Sequence, residues 1–98
     1  MTTTIAIVAI ATPARYLTRL AKHFEHRVPV QRDATSARID FPEGVCTLNA
    51  TATDLHIRIE SGPAATLARY QEVVARHLRQ VAPEEKVEVC WQEPVGDA

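Results

Sequence analysis

Between Ala37 and Glu60 apolar and polar residues alternate through three consecutive runs, and that alternation constrains the fold more than anything else in the chain. Ala37, Ile39 and Phe41 alternate with Arg38 and Asp40; Cys46, Leu48 and Ala50 with Thr47, Asn49 and Thr51; Leu55, Ile57 and Ile59 with His56, Arg58 and Glu60. A period of two places one set on each face of a sheet, so the runs predict strands with an apolar inner face and a wet outer one. Pro42-Glu43-Gly44 and the Thr53-Asp54 step supply tight turns, which makes the strands an antiparallel meander. Val28 and Val30 add a short strand before it, across a polar turn at Asp33 to Ser36.

A meander with one apolar face needs cover, and helices flank it. Thr12-Pro13 predicts a helix start, with Thr12 as cap and proline at the first helical position, where its missing N–H is harmless. Leu17, Leu20, Ala21 and Phe24 then recur at helical spacing. Pro29 biases Val28 to an extended backbone, so this helix ends near His26 or Arg27. Ser61-Gly62-Pro63 opens a second helix with a stripe of Leu67, Tyr70, Val74, Leu78 and Val81, with His77 on its edge, stopped by Pro83. Outside the helices, Thr3 to Ala11 predicts a first strand and Val87, Val89 and Trp91 a last one, with Trp91 in the core. The fold class expected is α+β: an antiparallel sheet with two helices on one face, in the order β-α-β-β-β-β-α-β. Residues 1–92 form one domain in this reading, and residues 93–98 a frayed tail.

The first strand does not alternate. Ile5, Ile7 and Ala9 lie on one side and Ala6, Val8 and Ile10 on the other, so both sides want cover. The second set is expected to be a self-association surface, giving a homodimer through Ala6, Val8 and Ile10.

Bulk properties exclude several classes. With 98 residues the chain suits a single domain, and a net charge of −1 does not suit a general nucleic-acid binder. The apolar run at the N-terminus breaks at Thr12-Pro13, too short to span a bilayer, so no membrane partner is expected. Two separated cysteines with no CxxC, Cys46 and Cys90, suggest reduced thiols in a cytoplasm. GxGxxG, P-loop, nucleophile-elbow and HExxH signatures are absent from the sequence.

The strongest local concentration of chemistry is Lys22-His23-Phe24-Glu25-His26-Arg27. His23 and His26, three apart, are neighbours on a helix and could ligate a transition metal if His77, Glu25 or Cys46 joined them. The plainer reading is that they satisfy the carbonyls of the helix C-terminus, a purely structural role. Convergence of His77 on the pair is what would favour a site. Arg15, Arg19, Lys22 and Arg27 make the outer face of this helix basic, and Arg19 and Lys22 with the three histidines are the candidate ligand-binding residues.

Taken together, Thr12-Pro13-Ala14-Arg15-Tyr16-Leu17, Lys22 to Val28, Arg38-Ile39-Asp40-Phe41, Gly44 to Leu48, His77-Leu78, Val89 and Trp91 resemble the bacterial domain-of-unknown-function 2218 family. The resemblance covers nearly the whole chain. It departs at Glu25, where family members often have glycine, and at Gln80-Val81-Ala82-Pro83, which replaces a more aromatic and basic segment. It implies a fold like that of TATA-binding-protein domains and, from members fused to siderophore-interacting flavoproteins, an iron- or siderophore-related setting. It implies no defined activity. The expectation is therefore a non-enzymatic accessory domain that binds a small anionic ligand, a metal complex or a protein partner. The alternatives are a small metal-dependent or acid–base enzyme using His23, His26 and His77, and a self-association module. No cofactor is expected, apart from a transition metal if the histidines hold one.

Overall fold

The computed structural model describes residues 2–92 and the backbone of residues 95–96. The chain runs β1 (Thr2–Ala9), α1 (Pro13–Glu25), β2 (Val30–Arg32), β3 (Ser36–Phe41), β4 (Gly44–Ala50), β5 (Asp54–Ser61), α2 (Ala64–Val81) and β6 (Val95–Gly96). The strands form one antiparallel sheet in the order β2-β3-β4-β5-β1-β6. The alternating runs become β3, β4 and β5, and their inner residues Ile39, Cys46, Leu48, Leu55, Ile57 and Ile59 are fully buried beneath the two helices. This is the α+β arrangement that the alternation demands.

Register decides which side of β1 goes inward. Ala6 pairs with Ile57 and Val8 with Leu55, so β1 presents the same parity to the helices as β5 does. Ala6, Val8 and Ile10 are therefore core, at 0%, 1% and 7% exposure, and cannot serve as a partner surface. The apolar side left open is Ile5, Ile7 and Ala9, with Ile7 at 51% exposure.

Three other expectations change. Thr12 does not cap α1 with its side chain: it sits in the left-handed region at φ 45°, and its carbonyl accepts from Arg15 and Tyr16 N–H. The last strand does not form at Val87 to Trp91. That stretch runs beside β1, held by the Gln92 N–H donating to Ile5 O at 2.9 Å and Thr4 Oγ1 donating to Gln92 O at 2.8 Å. Val87, Val89 and Trp91 pack half-buried against the core, and the paired residues come later, Val95 opposite Thr3 and Gly96 opposite Thr2. Residues 95–96 thus lie on the sheet where a frayed tail was expected; the rest of that tail, 93–94 and 97–98, is outside the described residues.

Both cysteines are unpaired, Cys46 buried and Cys90 exposed. Among the described residues no helix is long and apolar enough to cross a membrane.

Candidate functional site

The two stripes bring the end of α1 against the second half of α2. Leu17, Leu20, Ala21 and Phe24 from α1, and Leu67, Tyr70, Val74 and Leu78 from α2, all enter the core. The helices run antiparallel, with the Arg19 guanidinium donating to Val81 O at 3.4 Å at one end of the seam. At the other end His23 meets His77, their ring centroids 4.7 Å apart and tilted by 49°.

These imidazoles top a continuous run of rings. His77 lies 5.1 Å from Phe24, Phe24 meets Phe41 edge-on at 5.5 Å, and Phe41 stacks on Tyr70 at 4.5 Å. Tyr70 in turn accepts the Glu43 N–H at 3.1 Å, which ties the run to the β3–β4 turn. His77 Nδ1 lies 2.6 Å from Val73 O; a carbonyl only accepts, so Nδ1 carries the proton and Nε2 is left free for another partner. Burial pushes His23 below its ordinary value, and His77, Arg27 and His26 push in the same direction. His23 is thus biased toward the neutral form.

An open cleft of about 740 Å³ lies over this junction, within the size range of small-molecule sites. Its floor is apolar: Phe24, Val28, Phe41 and Val73. Its walls are His23, His26 and Arg27 from the end of α1 and Arg76, His77 and Gln80 from α2. Among the described residues no carboxylate lines it. The nearest acidic side chain in sequence, Glu25, is turned away into an ion pair with Arg32 at 2.8 Å, whose hydrogen bond holds the carboxyl below its usual range.

The sequence-derived candidates divide accordingly. His23, His26 and His77 share the cleft; Arg19 and Lys22 do not line it. Arg19 is spent on Val81 O and on the Tyr16 ring 5.4 Å away. In their place the structure supplies Arg27 and Arg76, with Gln80 beside them. Arg76 was legible only as the neighbour of His77, three residues on from Val73 on the same helix.

For metal ligation the expected three-histidine cluster is reduced to a pair. His23 and His77 are close enough to be adjacent ligands, but among the described residues no three His, Cys, Asp or Glu side chains gather around one metal-sized position. Cys46 is under the helices with its thiol pushed up to about 12 by burial, unable to reach the cleft or to ionise easily. On the outer sheet face, ion pairs run along strands: Arg38 to Asp40 and Arg58 to Glu60, each at 2.9 Å.

Comparison with known proteins agrees with the residue-level resemblance. A family model described as an uncharacterised protein conserved in bacteria, domain of unknown function 2218, matches residues 5–92. Among solved structures, the NMR structure of PA4090 from Pseudomonas aeruginosa superposes with a TM-score of 0.80 at 33% identity, covering 95% of this chain and 97% of that one. No curated protein matches.

Proposed function

The chain belongs to the domain-of-unknown-function 2218 family of bacterial proteins, and we propose that it is a binding domain whose cleft between α1 and α2 takes a small organic anion. One observation carries the reading. On a chain of net charge −1, the cleft gathers two arginines and three histidines over an apolar floor, with no carboxylate among the described residues that line it. Positive charge beyond what an α1 C-terminus needs is thereby set against a greasy surface. A ligand that satisfies both has a flat apolar body and a carboxylate, catecholate or similar anionic group, the arginines offering forked donors to it. An anionic ferric siderophore is one such molecule, and an iron-related setting accords with the family resemblance. The free Nε2 of His77, an acceptor while the ring is neutral, would then take a hydroxyl proton of the ligand or coordinate its metal.

Paired ligands of equal size and opposite charge test this. In ¹H–¹⁵N NMR titrations, benzoate is expected to shift amides of His23, Val28, His77 and Gln80 saturably, and benzylammonium is not. Arg76→Glu should weaken benzoate binding about tenfold, because it replaces a charge-assisted contact by repulsion. Equal responses to both ligands, or no saturable response of the cleft to any organic anion at millimolar concentration, would sink the reading.

A further inference from the structure

The outer face of the sheet carries an ordered charge pattern that its register makes exact. Arg38 and Arg58 stand on either side of Thr47 in one cross-strand row; Asp40 and Glu60 stand on either side of Val45 in the next. A row of positive charge therefore lies directly beside a parallel row of negative charge, with the neutral β4 residues between them. Beyond β5 the rows reach Ile5 and Thr3 of β1, and Ile7 in the following row is a large apolar side chain at 51% exposure.

We infer that this face is a self-complementary docking surface for a second copy of the chain. A two-fold axis parallel to the rows, passing between them above β4, turns each positive row onto the negative row of the partner. Arg38 of one copy then meets Asp40 of the other, Arg58 meets Glu60, and both contacts occur twice, as an isologous interface requires. Thr47 and Val45 at the axis are short and uncharged, so the sheets can approach there. Sheet twist separates the outer strands, while β3 and β5, each one strand from β4 at the centre of the contact, keep theirs.

The charges are free to do this. Within one chain each pair uses a single guanidinium nitrogen and a single carboxylate oxygen, leaving the other oxygen and several N–H groups unengaged by that pair. Their side chains are 56% and 33% exposed for Arg38 and Asp40, and 52% and 32% for Arg58 and Glu60. The face is modest, about 20 by 20 Å from strand spacing and rise, so the dimer belongs to the weak, salt-sensitive class.

Sedimentation velocity on the full chain, from micromolar to millimolar protein, tests the inference. Wild type should shift from monomer to dimer with concentration, and added salt should weaken the dimer. Arg58→Glu places like charges across the axis and should raise the dissociation constant about tenfold or more. The exchange of both, Arg58→Glu with Glu60→Arg, preserves the pair within each chain and restores opposite charges between chains, so it should recover dimerisation. Circular dichroism checks that each variant is folded. A wild type that stays monomeric throughout overturns the proposal and leaves the face to solvent or to a different protein. So does a dimer insensitive to Arg58→Glu, or a double exchange no better than the single change.

Discussion

Phe24→Ala is the substitution from which the packing argument stands or falls. The ring is 6% exposed and is the hinge of the aromatic run, edge-on to Phe41 and 5.1 Å from His77. Truncation removes its burial and its aromatic contacts together. Phe→Ala in a core costs about 3–5 kcal/mol, of which the edge-on pair is about 0.5–1.5. The void would open partly onto the cleft and admit water, so a value near 4 kcal/mol is expected rather than the upper end. For a domain of this length total stability is about 5–15 kcal/mol, so the variant keeps only part of it. Chemical denaturation followed by circular dichroism measures the difference, and the Tm should fall by about 15–30 °C. Ile7→Ala, at the exposed position, should cost no more than about 0.5 kcal/mol at dilute protein. A loss under about 1 kcal/mol for Phe24→Ala would refute the placement of this ring in the core.

Gly44 and Gly62 should respond in opposite ways to alanine. A Cβ on Gly44 would meet Glu60 O at 2.5 Å and Tyr70 Cε2 at 3.2 Å, so Gly44→Ala should lose about 1–3 kcal/mol. A Cβ on Gly62 would meet nothing within 4 Å among the described residues, and Gly62→Ala should be neutral or stabilising by up to about 1 kcal/mol in the same denaturation assay. Stability should also depend on pH through His23, whose folded-state pKa lies below the ordinary 6.5. The unfolded chain binds more protons between those two values, so the stabilising preference for neutral His23 is complete above pH 6.5 and is lost as the pH falls through that window. His23→Gln should flatten that part of the stability profile, and an unchanged slope would show that His23 is not the group responsible.

Most of the architecture could be read from periodicity because the physical cause and the sequence signal are the same thing. Ile57 and Arg58 must face opposite sides of a strand, and their alternation says so. Where signal and cause part, reading failed. Val87, Val89 and Trp91 alternate, and their side chains do pack on the core, yet side-chain alternation carries no information about main-chain pairing. That pairing is made by Gln92 with Ile5 and then by Val95 with Thr3. β1 was ambiguous because both its sides are apolar, and only its register with β5 chose between them. At Thr12 residue type suggested a cap, whereas the left-handed backbone leaves the side chain out of it. His23, His26 and His77 line the cleft, whereas Arg19 and Lys22 share the basic helix face without lining it. Arg76 and Phe41 enter only through long-range packing of α2 and β3, which no local pattern records.

The two surfaces singled out lie on opposite sides of the molecule, and that separates their consequences. The cleft belongs to the helix layer, above the inner parity of the sheet; the charge rows belong to the outer parity of β3, β4 and β5. A dimer built sheet to sheet turns both helix layers outward and leaves both clefts open, so ligand binding needs no partner and association needs no ligand. Arg76→Glu should accordingly weaken benzoate binding while leaving sedimentation unchanged, and Arg58→Glu should do the reverse. Coupling between the two would require the connection through the sheet, where Phe41 at the end of β3 joins the ring run of the cleft to the strand that carries Arg38 and Asp40. Should benzoate shift the monomer–dimer equilibrium, Phe41→Leu is expected to reduce that shift, and an undiminished shift would show that β3 does not carry it.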